Sequence, residues 1–119
     1  MKQRQVASQA GNIVVLTPKG YLTGGDETDE LEQTIRSLAE GGNKSLVINL
    51  AETQHLNSVA LGVLISAHSN YVRRSGQMKL CSVDKKIENI FVITKLSLVF
   101  DVFANEELAI ASFAAPKPV

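Results

Sequence analysis

The stretch Leu46-Val47-Ile48-Asn49-Leu50 constrains this chain most. It is apolar on both faces, which predicts a strand at the centre of a sheet covered by helices. From Ser58 onward, Leu61, Leu64, Ile65, His68 and Val72 recur at spacings of three and four, an amphipathic stripe that predicts a long helix. Ser75-Gly76 ends that stripe, and Gln77 to Val83 alternates as a second strand. A strand, a helical crossover and a strand impose parallel pairing, so an α/β sheet follows from these residues alone.

The flanking segments extend the same pattern. Gln3 to Gln9 reads as a weak first strand, Ala10-Gly11-Asn12 as a turn, and Ile13-Val14-Val15-Leu16 as a buried second strand with a bend at Gly20. Thr23-Gly24-Gly25-Asp26 forms a loop into a helix from Thr28 to Glu40, which buries Leu31, Ile35, Leu38 and Ala39 and stops at Gly41-Gly42. Ala51 to Asn57 reads as a loop beyond the carboxyl end of the central strand, where sites gather in open α/β sheets. Asp84 caps a helix from Lys85 to Thr94, Phe100 to Phe103 is a short strand, and Asn105 caps a last helix through Phe113. The expected architecture is one α/β domain over residues 1–114, a mixed sheet of about five strands with four helices in the order ββαβαβαβα. Residues 115–119, containing two prolines, are expected to be a flexible tail.

Composition narrows the function. Twelve basic residues balance twelve acidic ones among 119, and six residues are Phe or Tyr, so neither a phosphate-tracking surface nor base-stacking aromatics point to nucleic acid. Cys81 is alone, so no internal disulfide or Cys-rich metal site is expected. The apolar run that an export signal needs is broken by Ser8, Gln9, Gly11 and Asn12, and Val59 to Val72 falls short of a membrane span. A cytoplasmic protein without cofactor or metal is the expectation.

Several enzymatic readings lack a required residue. A receiver-type phosphoacceptor needs an aspartate just past the central strand, where Asn49-Leu50-Ala51 stands. Gly41-Gly42-Asn43-Lys44-Ser45 lacks the spacing of a phosphate loop and joins helix to strand in the wrong order. Ser58 with His55 has no nucleophile elbow around it. His68 reads as a hydrogen-bonded core or boundary histidine and Cys81 as a small core residue, with Arg73, Arg74 and Lys79 as a solvated helix end. Ser58 itself sits where a serine caps a helix, or presents its hydroxyl for modification.

The central strand followed by Asn57-Ser58-Val59-Ala60-Leu61-Gly62-Val63-Leu64 resembles the STAS domain family of bacterial anti-sigma factor antagonists, whose motif reads Asp-Ser-Ser-Gly-Leu-Gly. Gly20-Tyr21-Leu22-Thr23, Gly76, Thr94-Lys95-Leu96 and Phe100-Asp101-Val102-Phe103 before Glu106-Glu107-Leu108-Ala109 extend the resemblance over nearly the whole chain. It implies a non-enzymatic interaction module that binds an anti-sigma factor, itself a serine kinase of the histidine-kinase-like ATPase type. In that family the kinase phosphorylates the motif's serine and so releases the complex, and the resemblance implies that Ser58 is that serine. Asn57, Val59 and Ala60 depart from the motif's aspartate, second serine and glycine. The implied partner surface comprises Thr23, Gly24, Gly25, Asp26, His55, Asn57, Ser58, Val59 and Ala60, with the exposed side of the following helix. STAS-like domains also serve as constitutive subunits of transporters and sensory assemblies, which is the alternative function.

Overall fold

The computed structural model describes residues 1–8 and 11–114. Gln9 and Ala10 of the expected first strand and turn, and the tail at 115–119, lie outside the described residues. Eleven helices and strands follow in order: β1 (Lys2–Ser8), β2 (Gly11–Thr17), β3 (Gly20–Leu22), α1 (Asp26–Glu40), β4 (Ser45–Asn49), β5 (Thr53–Leu56), α2 (Ser58–Arg73), β6 (Gln77–Cys81), α3 (Lys85–Ile93), β7 (Asp101–Phe103) and α4 (Glu106–Ser112). A single 3-10 turn, Leu96–Leu98, leads into β7.

The main sheet has five strands in the order β1-β2-β4-β6-β7, with β4 central as its two apolar faces require. β1 runs antiparallel to β2, from Lys2 opposite Thr17 to Ser8 opposite Gly11, while β2, β4, β6 and β7 are mutually parallel. Four helices and this mixed sheet match the expected class. The unforeseen part is a second, two-stranded parallel sheet of β3 and β5.

Both faces of the main sheet are covered, which explains why Ile13 to Leu16 and Leu46 to Ile48 are continuously apolar instead of alternating. Val14, Leu16, Leu46, Ile48, Met78 and Leu80 point into one core with Leu31, Ile35, Leu64, Tyr71 and Phe91 from α1, α2 and α3. Ile13, Val15, Val47 and Cys81 point the other way, toward Ala109 of α4. The buried stripe of α2 is rotated from the expected one. Leu61 and Leu64 are buried, but Ile65 and Val72 are exposed, and Ala60, Ala67 and Tyr71 take their places. The small alanines let α2 lie close to both α1 and β6, so the face against the protein is centred between them. Tyr71 is tolerated there because its hydroxyl donates to Asn43 Oδ1 at 2.8 Å, and burial pushes its pKa well up.

Lys79 also departs from expectation. It lies within β6, 5% exposed, and its Nζ stands 4.7 Å from the Phe113 ring centre and 5.5 Å from that of Phe103. A long aliphatic stem and a cation over aromatic faces reconcile the charge with burial, which spacing in the sequence could not reveal.

Gly76 shows how closely the crossover returns to the sheet: a Cβ there would stand 2.8 Å from the Lys44 carbonyl oxygen. Gly76→Ala is expected to lower the urea midpoint by the equivalent of about 1–3 kcal/mol, because both partners are backbone and neither can step aside. Equilibrium denaturation checks this.

Candidate functional site

The site is built by the small sheet. Thr53 and Leu56 of β5 are buried and Gln54 and His55 exposed, a pattern that lacks the alternation by which a strand is read from sequence. The expected loop from Ala51 to Asn57 contains a strand, paired with β3 so that Tyr21 lies opposite His55 and Leu22 opposite Leu56. Gly20, at φ 84°, supplies the bend that takes the chain out of β2 and into this second sheet. The two leucines anchor the pair in the core, and Tyr21 and His55 remain outside with ring centroids 6.2 Å apart.

Asn57 caps α2. Its Oδ1 accepts from Val59 N at 3.1 Å and Ala60 N at 3.3 Å, and its own backbone N–H donates to the Leu22 carbonyl. Its Nδ2 donates to the Thr23 carbonyl at 3.0 Å, a bond an aspartate at this position could not make while ionised. One side chain thus satisfies two orphan amides of the helix and ties the following helix to the Thr23 loop. Within that loop Gly24, at φ 99°, donates its N–H to Thr28 Oγ1, and its α-carbon faces the Val59 side chain. Asp26, Glu27 and Asp29 occupy the first turn of α1 and give the surface an acidic border.

Ser58 is the first residue of α2 and is not its cap; that role belongs to Asn57. Its side chain is exposed, and among the described residues its hydroxyl makes no hydrogen bond, to His55 or to any other group. Thr23, Gly24, Gly25, Asp26, His55, Ser58 and Val59 are all exposed and Asn57 is half-buried. Ala60 differs: it is fully buried in the core, so its side chain cannot touch a partner. Tyr21, 60% exposed beside His55, was not among the candidates; its place in a glycine-led three-residue strand was the available signal. Val59 is 53% exposed, which adds a second large apolar group to the same surface.

Cys81 is buried, and His68 is half-buried with its ring edge-on to Phe100 at 5.4 Å. The hydrogen bond expected of His68 is missing at Nδ1, which has no partner among the described residues, and the edge-on packing against Phe100 holds the ring instead. No group of three or more His, Cys, Asp or Glu able to hold a metal occurs among the described residues, and none of their helices is long and apolar enough to cross a membrane.

Residues 4–109 of this chain match a family model for the STAS domain. The chain belongs to the STAS domain family. Among its relatives is BtrV of Bordetella bronchiseptica, a candidate anti-sigma factor antagonist, 22% identical over 76% of this chain and 78% of its own. The crystal structure of a candidate anti-sigma factor antagonist from Thermotoga maritima superposes with a TM-score of 0.83 at 16% identity, covering 95% of each chain. The Bacillus cell fate determinant SpoIIAA in its phosphorylated form gives 0.70 at 16% identity, covering 93% of this STAS domain and 98% of its own chain. A SulP transporter STAS domain from Vibrio cholerae gives 0.65 at 12% identity, with 82% and 77% covered. At these identities the superpositions establish the shared fold.

Asn57→Ala is expected to cost about 1–2 kcal/mol in urea denaturation, since it removes the cap and the tie to Thr23 together. Ser58→Ala, which removes no hydrogen bond, is expected to stay within about 0.5 kcal/mol of the parent.

Proposed function

We propose that this STAS domain is a non-enzymatic interaction module of the anti-sigma factor antagonist type, working in the bacterial cytoplasm and binding an anti-sigma factor that is also a serine kinase of the histidine-kinase-like ATPase type. The observation that carries the reading is the exposed, unbonded hydroxyl of Ser58 at the start of α2, on a segment that also exposes His55 and Val59, with Tyr21 paired to His55. Tyrosine is among the residue types that dominate interaction hot spots, and Tyr21 stands exposed against His55. Thr23, Gly24, Gly25 and Asp26 form the adjoining loop, Asn57 fixes it against the helix, and Ala60 supports it from beneath.

Phosphate on Ser58 supplies the switch in this reading. It adds about −1.5 to −2 charges at pH 7, which the amino end of a helix favours by roughly 0.3–1 kcal/mol at an exposed site. The amides of Val59 and Ala60 are already bonded to Asn57, so the phosphate competes with the cap or settles for the helix field alone. In the free protein the group remains hydrated. Beneath a docked partner it must lose that water, and each 1.4 kcal/mol of penalty, roughly, weakens binding tenfold.

The alternative is a constitutive STAS subunit of a transporter or sensory assembly, favoured by the departures at Asn57, Val59 and Ala60 and by the likeness to a SulP transporter domain. Incubating the chain with ATP and the kinase recovered by affinity capture, then mapping the product by mass spectrometry, separates the two. Phosphate at Ser58 is expected; an unmodified Ser58 in a chain that still binds its partner favours the constitutive subunit. Ser58→Asp is expected to weaken capture more than tenfold while shifting stability by less than about 0.5 kcal/mol. Tyr21→Ala is expected to weaken it by a similar factor, and unchanged binding would remove Tyr21 from the surface.

A further inference from the structure

The face of the sheet formed by Ile13, Val15, Val47 and Cys81 packs against α4, through Ala109 with Ile110 and Phe113 at its margin. α4 has seven residues, well below the roughly 12–15 at which an isolated helix becomes marginally stable in water, so it is helical only while docked. It takes part in none of the strand pairings. Of its residues Ala109 alone is fully buried, which leaves its apolar hold small.

Its polar hold is concentrated at one residue. The Glu106 carboxylate accepts from Asn49 Nδ2 at 3.1 Å and pairs with the Arg4 guanidinium, so β4 and β1 both grip the first turn of α4. Asn105 caps that turn by accepting from Leu108 N at 2.9 Å. At the far end the Lys79 ammonium lies over the Phe113 ring. Glu106 is 23% exposed, so water and ions reach the latch.

We propose that α4 is a latched cover: loss of the Glu106 contacts to Arg4 and Asn49 lets it leave the sheet, exposing Ile13, Val15, Val47 and Cys81 while the five strands and the opposite core stay folded. Arg4 and Asn49 belong to strands and stay in place, so the latch can close again. The opening is local because the core beneath α1, α2 and α3 shares no buried side chain with the α4 face.

Cys81, the one cysteine, reports the opening. Its thiol is held above the ordinary range first by burial, and in smaller part by the Glu106 charge against the lowering effect of Ser82. Labelling of the full chain with N-ethylmaleimide is expected to run about tenfold faster in Glu106→Gln, the loss of one charged hydrogen bond, and faster also in Arg4→Gln. The double variant is expected to label no more than about twofold faster than Glu106→Gln, since both changes break one latch. Glu107→Gln, an exposed neighbour, serves as the charge control and is expected to leave the rate unchanged.

Removing the Glu106 charge also eases thiol ionisation, so amide hydrogen exchange, which is indifferent to the thiol, decides the matter. Residues 108–112 are expected to lose protection in Glu106→Gln while 46–48 of β4 keep theirs. Faster labelling without loss of protection in α4, unchanged labelling in both single variants, or equal loss of protection in α4 and β4 overturns the proposal.

Discussion

The side chain of Asn57 connects three parts of this fold that the sequence keeps apart. Its carbonyl oxygen closes the amino end of α2, its amide nitrogen holds the Thr23 carbonyl, and its backbone meets Leu22. The exposed serine, the loop before α1 and the Tyr21–His55 pair are placed relative to one another by these bonds. An aspartate can close the helix and adds favourable charge at its positive end, but in its ionised form it has no proton for Thr23. The asparagine therefore exchanges charge at the surface for a tie within it.

That surface rests on a sheet that is buried on both sides. Parallel strands carry helices on their faces, and continuous apolar runs such as Leu46-Val47-Ile48 are the consequence. The two faces are not equal. One is sealed by α1, α2 and α3 around a large core; the other is closed by the two-turn α4, with a buried lysine and a glutamate standing where further apolar contacts would otherwise be needed. A carboxylate and an ammonium near water respond to their surroundings in a way a packed leucine does not, and this distinguishes the two sides of the domain.

A serine at the first position of a helix suits a reversible charge. Because Asn57 already caps α2, Ser58 is released from structural duty, and its hydroxyl is free to take part in contacts outside the chain. The first turn of α1 holds Asp26, Glu27 and Asp29, and Asn57 ties the loop just before that turn to α2.

The order of the main elements was legible in the residues, because periods of two and of three to four are set by strand and helix geometry and leave their mark wherever one face is buried. Leu46 to Leu50, the helix from Ser58, the Asp84 and Asn105 caps and the glycine stop at Gly41 all follow from local chemistry. The β3–β5 pair did not follow, since each strand is too short to show a period and their pairing spans a distance in sequence that no local rule measures. The rotation of α2 toward Ala60, Ala67 and Tyr71, the burial of Lys79, and the choice of Asn57 over Ser58 as cap were likewise decided by neighbours. Sequence alone determined that a serine would open a helix beyond the central strand. Tertiary structure decided that this serine would stand exposed and uncommitted, because Asn57 takes the cap and the β3–β5 pair fixes the segment before it.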